Sequence, residues 1–239
     1  MPTLSVILIT KNEEVDLPAC LKSVAFADEI IIVDNGSTDR TPEIAQEFGA
    51  KFFTEKWHGF GPQKNLSLSK ATCDWVFSID ADEVVPEKLA NEIKKTIENP
   101  VYCGYDISRT TTFCGKKVRF GDWGRDKVLR LFRRGSGSFT NDQLHERVVV
   151  TGVVGKLNCS MIHNSISSIE DAKEKMVSYA TISAKERKGS MLKAITRGFW
   201  TFYRSYILRF GWLDGWTGYQ IARLSAKGTY LRYTLAKKK

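Results

Sequence analysis

The chain has 239 residues, 42% hydrophobic and 26% charged, the balance of a globular protein with a sizeable core, which excludes a disordered or collagen-like chain. Five cysteines, Cys20, Cys73, Cys103, Cys114 and Cys159, are scattered with no C-x-x-C pair, which argues against a zinc site or disulfide framework and for a reducing compartment. The net charge of +9 is uneven: from Asp171 onward 15 Lys and Arg face 4 Asp and Glu, while the first 170 residues carry 21 against 23.

The opening residues predict no signal peptide, and no apolar run is long enough to predict a spanning helix. Leu4–Ile9 is a short, β-branched apolar run and predicts a buried strand, followed by a helix over about 13–25. Glu29–Asp34 predicts a second buried strand, and Asn35-Gly36-Ser37-Thr38-Asp39 a turn. Thr41 reads as a helix N-cap, with Pro42 at the first helical position and Gly49 as the stop. Lys51–Phe53 predicts a third strand, Gly59, Gly61 and Pro62 a loop, 63–71 a helix, Trp75–Asp80 a fourth strand, and Pro86 the start of a helix reaching about Ile97. Strands alternating with helices predict an α/β fold, its parallel sheet covered on both faces. From about Tyr102 to His163 short β-like runs, 127–132 and 147–153, lie between Gly-rich turns. Beyond Ser167 the chain reads as helical, with Ile169, Ala172, Met176, Tyr179 and Ser183 on one face and Gly189 as a stop, and Lys237–Lys239 reads as a frayed end.

Ligands of such sheets bind beyond the carboxyl ends of the strands. This sequence puts Thr10, Asn12 and Glu13 there after the first strand, Asp34 after the second, and Asp80 and Asp82 after the fourth. Asp80-Ala81-Asp82 sets two carboxylates one residue apart, a spacing that grips a hard divalent cation and leaves positions for substrate phosphates. A solvated acidic turn before the Pro86 helix is the alternative. Asp34 is placed either to accept a hydrogen bond from a ligand N–H or only to hold its own turn.

The blocks Val6–Glu14, Ile32–Asp39 and Ile79–Glu83, with their mutual spacing, resemble family 2 glycosyltransferases of the GT-A fold. More narrowly, Gln63-Lys64-Asn65 and Gly211-Trp212-Leu213-Asp214-Gly215 resemble lipooligosaccharide-core β-1,4-glucosyltransferases. The resemblance implies a mostly parallel central sheet with helices on both faces over 1–165, its first hundred residues binding nucleotide-sugar and 101–165 binding acceptor, and a helical, membrane-associating extension over 166–239. It implies a UDP-sugar donor held by Thr10, Asn12, Glu13, Asp34, Lys64, Asp80, Ala81 and Asp82. A divalent cation, Mg or Mn, would rest on Asp80, Asp82 and His163. Many relatives have two acidic residues where this chain has Asp34-Asn35. Where the family usually carries Glu-Asp this chain has His145-Glu146, so Glu146 is the expected general base and Asp142 the reserve, while His145 either touches substrate or only hydrogen-bonds locally. The implied activity is inverting transfer of a hexose, glucose first, to a lipopolysaccharide or lipooligosaccharide core or another glycan or glycolipid acceptor of the cell envelope. Alternatives are a polyprenyl-phosphate sugar transferase, a nucleotidyltransferase, and a non-catalytic membrane- or nucleic-acid-binding protein.

Between Met191 and Trp216, Ile195, Phe199, Phe202 and Tyr206 recur at helical spacing, joined by Trp200, Tyr203, Phe210, Trp212 and Trp216 and interrupted by Lys193, Arg197, Arg204 and Arg209. Such a segment suits a helix lying in an anionic membrane interface; a core helix packing on the body is the alternative. Nucleic acid is not expected, because the crevice is acidic. The expected location is therefore cytoplasmic, peripheral at the inner face of the cytoplasmic membrane, with the oligomeric state open.

Overall fold

The computed structural model describes residues 1–124, 126–141, 146–185 and 187–236. His145 and Asp142, expected near the acceptor, and the terminal Lys237–Lys239 lie outside the described residues. The chain divides into two compact units, Met1–Arg109 with Lys127–His163 and Thr110–Asp126 with Asn164–Lys239.

The first unit opens with β1 (Leu4–Thr10), α1 (Leu17–Ser23), β2 (Glu29–Asp34), α2 (Thr41–Glu47), β3 (Lys51–Thr54), α3 (Phe60–Ser69), β4 (Trp75–Ser78), β5 (Glu83–Val84) and α4 (Glu87–Glu98). β1 pairs in parallel with β2 and with β4, and β2 with β3. β1, β2 and β4 are largely apolar runs because both their faces are covered, whereas β3, at the sheet edge, is only half buried. Val6, Leu8, Ile32 and Phe77 join the larger core with Leu89 and Ile93 of α4, while Ile7, Ile31 and Val76 face a second cluster with Phe132 and Phe139.

The other strands are β6 (Gly104–Phe113), β7 (Lys116–Lys117), β8 (Asp126–Arg133), β9 (Gly137–Phe139), β10 (Val148–Val150) and β11 (Val154–Ile166). The sheet order is β3-β2-β1-β4-β8-β6-β11-β5. β8 joins β4 and β11 joins β5 antiparallel, so the parallel part continues into a mixed sheet. β9 and β10 form a separate antiparallel ribbon.

Several local expectations are corrected. The first helix is shorter than 13–25, and 147–153 holds only the three-residue β10. The third helix starts at Phe60 rather than 63, after Gly59 turns the chain at φ 106°. Gly61 within it lies against the backbone of Thr140, where a Cβ would stand 1.9 Å from the carbonyl oxygen. Thr41 does not cap α2: its amide donates to Asp39 Oδ1 (3.0 Å) and its hydroxyl accepts from the Glu13 amide (2.8 Å), tying the loop after β1 to the start of α2.

At the opposite end of the sheet Glu29 opens β2. Its carboxylate accepts from Ser5 Oγ of β1 (2.6 Å) and the Thr72 amide (3.0 Å) and pairs with Lys51 Nζ of β3 (2.5 Å). Burial alone would raise this carboxyl; the Lys51, Ser5 and Thr72 hydrogen bonds prevail and hold it at about 2.

The second unit has α5 (Ile169–Ala184), α6 (Met191–Tyr203), a π-helical turn over Arg204–Leu208, a 3-10 turn over Gly211–Asp214, and α7 (Gly215–Thr234). Phe113, Val118, Ile166, Ala172 and Ile221 form its core. Ser168 and Ser190 cap α5 and α6 by accepting from the Asp171 and Lys193 amides. On α5 the buried positions are Ala172, Ala180 and Ala184, whereas Tyr179, which shares helical spacing with Ala172, is exposed. α6 is arranged in the same way: Ala194 and Gly198 are its buried residues, and a Cβ on Gly198 would lie 3.4 Å from Ala226 O of α7. Leu192, Ile195 and Phe199 on its outer side are 73%, 56% and 70% exposed. No helix among the described residues is long and apolar enough to cross a membrane.

Candidate active site

The parallel register brings Thr10 of β1 level with Asp34 of β2. Asp34 is buried, and its Oδ2 accepts from Thr10 Oγ1 (2.8 Å) and Ser37 Oγ (2.5 Å) while Oδ1 accepts from the Ser37 amide (2.7 Å). Asn12 stands at φ 55°, its amide donating to Ser37 Oγ (2.7 Å) and its Oδ1 accepting from the Thr38 amide (2.8 Å). Thr10, Asn12, Glu13 and Asp34 are thus brought together by two strand-end loops that hydrogen-bond each other. Asp34 is their internal anchor, and Oδ1, with one bond from Ser37, retains capacity for a further donor.

Asp80, Ala81 and Asp82 follow β4 in a tight turn closed by Glu83, whose Oε2 accepts from the Asp80 amide at 2.9 Å. The two aspartates have different surroundings. Asp80 Oδ1 accepts from Lys64 Nζ at 2.9 Å and Oδ2 from Arg130 Nη2. The same Nη2 donates to Glu83 Oε1 at 2.9 Å, and Arg109 Nη1 reaches that oxygen at 3.1 Å. Burial alone would raise the Asp80 carboxyl, but Arg130 and Lys64 outweigh it and hold it well below the usual carboxylate range. Burial likewise works against the Arg130 charge, and Asp80 and Glu83 more than compensate, holding its pKa above the usual arginine value. Asp82 instead faces His163, with Oδ2 and Nε2 3.3 Å apart. His163 arrives there because β11 pairs with β5, setting it opposite Glu83.

Among the described residues no three His, Cys, Asp or Glu side chains form a ready-made metal cluster. A cation of the Mg class needs only one or two protein ligands when substrate phosphates supply the rest. Asp82 Oδ2 and His163 Nε2 are near enough to share one ion, so this pair fits such a cation. Both oxygens of Asp80 are taken by Lys64 and Arg130.

α3 joins this group to Glu146. Lys64, its side chain 7% exposed, also donates to Glu146 Oε1 at 2.8 Å. The next residue, Asn65, brackets β9, its Nδ2 donating to Phe139 O and its Oδ1 accepting from the Phe139 amide, both at 2.8 Å. Lys64 and Asn65 of the Gln63-Lys64-Asn65 block therefore fix both the charge partner and the mounting of the ribbon that leads to Glu146.

Sequence reasoning missed Glu83, Arg109 and Arg130. The available signal was Arg130 itself, a lone charge inside Val128-Leu129-Arg130-Leu131-Phe132. Its partner depends on the antiparallel β4–β8 register, in which Phe77 opposes Leu131.

The description Glycosyl transferase family 2 matches residues 5–149. An uncharacterized glycosyltransferase of Rickettsia typhi is 31% identical over 250 residues, covering 97% of this chain and 86% of that protein. The lipopolysaccharide core biosynthesis glycosyltransferase LpsC of Rhizobium meliloti is 29% identical over 252 residues, covering 97% and 93%. A crystal structure of glucosyl-3-phosphoglycerate synthase from Mycobacterium tuberculosis with Mn2+, UDP and glucosyl-3-phosphoglycerate aligns at a TM-score of 0.39 and 25% identity over 46% of this chain, which spans 44% of that one. With its strand-end loops converging beyond a mostly parallel sheet, the chain belongs to glycosyl transferase family 2.

Proposed function

We propose that the protein is an inverting hexosyltransferase that moves a sugar, glucose first, from a UDP-sugar to a lipopolysaccharide or lipooligosaccharide core. The observation that carries the reading is the acidic turn beyond β4, with Asp82 held 3.3 Å from His163 and Asp80 between Lys64 and Arg130. The likeness to LpsC over nearly the whole chain supports the acceptor class.

In this reading the loops built around Asp34, Thr10 and Asn12 receive the base and ribose. Asp82 and His163 hold a divalent cation, Mg or Mn, which when bound neutralises charge growing on the leaving diphosphate. Lys64 adds a second positive charge to the same region. Glu146 takes the proton from the acceptor hydroxyl as its oxygen bonds to the anomeric carbon, and the bond from that carbon to the diphosphate oxygen breaks with its electron pair leaving on UDP. One displacement inverts the centre, so an α-linked donor gives a β-linked product. General-base catalysis of this kind contributes about 10²–10⁴ in rate.

The outer side of α6 supports attachment to a membrane. Leu192, Ile195, Phe199 and Trp200 are exposed there, with Lys193 and Arg197 exposed among them. An apolar face interleaved with basic residues suits an anionic lipid surface, where a lipid-borne acceptor resides. A second copy of the chain would oppose like charges across the same face.

The test is incubation with a panel of UDP-sugars and Mn2+, reading UDP release with and without lipooligosaccharide-core acceptors. Acceptor-dependent UDP release is the expected result. Release of diphosphate instead, or no turnover with any core acceptor, overturns the reading.

A further inference from the structure

We infer that Lys64 is shared between Glu146 and the donor diphosphate, so that donor binding releases the base. This rests on the donor and base assignments above and adds a coupling between them. The Lys64 ammonium bridges Asp80 Oδ1 (2.9 Å) and Glu146 Oε1 (2.8 Å), and the Glu146 side chain is 16% exposed. With Oε1 engaged by the Lys64 ammonium at 2.8 Å, that oxygen is occupied and not open to an acceptor hydroxyl.

The two anionic partners of Lys64 are not equivalent. Asp80 has a second cation, Arg130, which Glu83 also holds in place. Asp80 therefore keeps a counter-charge when Lys64 moves. Among the described residues the ion pair of Glu146 is with Lys64. A diphosphate entering beside Asp80 offers Lys64 several anionic oxygens, and the residue that loses its cation is Glu146. The base is thus masked while the donor site is empty and becomes available when the sugar to be transferred is in place. Catalysis is ordered, donor before acceptor, by one side chain on α3.

The coupling has a sign opposite to ordinary damage at a binding site. If Glu146 competes for Lys64, Glu146→Gln frees the cation and strengthens UDP binding. Titration calorimetry of UDP with Mn2+ on wild type, Glu146→Gln, Lys64→Met and the double variant reads this directly. Glu146→Gln should bind UDP at least roughly threefold tighter, because the apparent affinity is reduced by the fraction of protein whose Lys64 is available. Lys64→Met should bind more weakly, and adding Glu146→Gln to it should change nothing further. Lys64→Arg keeps the positive charge and serves as the second background should Lys64→Met fail to fold, and there the Glu146→Gln gain should reappear. Unchanged or weaker UDP binding by Glu146→Gln overturns the coupling, as does an equal gain in the Lys64→Met background. Wild-type protein that binds no UDP would instead overturn the donor reading itself.

Discussion

Asp80 and Asp82 stand one residue apart and are expected to fail differently when altered. Asp82 meets His163 at the rim, so Asp82→Asn should leave the melting temperature nearly unchanged and cut Mn2+-dependent turnover by about 10². Asp80 lies between Lys64 and Arg130, so Asp80→Asn should lower stability by about 2–4 kcal/mol in denaturant unfolding, because buried cations are left underpaired. Equal losses of stability in both variants would contradict this division. Glu146→Gln should keep the fold and lose about 10²–10⁴ in transfer rate, measured with saturating donor. Asp34, Asp80 and Asp82 were legible in the sequence because each follows an apolar strand, and strand ends of a parallel sheet converge; Glu83 was not singled out, and Glu146 came from the family resemblance alone. The arginines were not legible. Arg109 and Arg130 reach Glu83 from β6 and β8; Arg130 is delivered by the antiparallel β4–β8 register, a long-range choice with no local mark.

Among the elements, β1, β2 and β4 were legible as apolar runs because both faces of those strands are covered. β6 and β11 were not. Along β11 buried Gly155, Leu157 and Met161 are interleaved with exposed Lys156 and Asn158, so no apolar run announces a thirteen-residue strand. The parallel strands also share an electrostatic tie at Glu29, which links β1, β2, β3 and the segment before β4. Its carboxyl lies at about 2 in the fold against an ordinary value of 4.5. A lowered carboxyl contributes stability that is complete above about 4.5 and is lost as pH falls toward 2. Wild type should therefore be more stable than Glu29→Gln at pH 7, with the gap narrowing steadily between pH 4.5 and pH 2. Thermal melts across that range check it, and a gap independent of pH would assign Glu29 a packing role only.

For the whole molecule, the basic and aromatic character of the C-terminal part was legible, whereas the side it turns outward was not. Helical spacing says which residues share a face, not whether that face is covered. In α6 the small residues Ala194 and Gly198 are inside, and Leu192, Ile195 and Phe199 are outside. The protein should sediment with anionic vesicles at low salt and be released as salt rises, as screening shortens the reach of Lys193 and Arg197. The pair Ile195→Glu and Phe199→Glu should weaken that binding roughly tenfold or more by placing charge on the apolar side. Binding insensitive to both changes would point to another surface. Under the proposed membrane attachment, the outward face of α6 would also change the dimension in which the reaction is counted. Once the enzyme sits on a bilayer, encounters with a lipid-borne acceptor are governed by molecules per unit area rather than per unit volume. Diluting that acceptor with inert lipid, its total amount in the tube unchanged, then slows the enzyme. Adding more vesicles of the same composition leaves the rate of each bound molecule as it was.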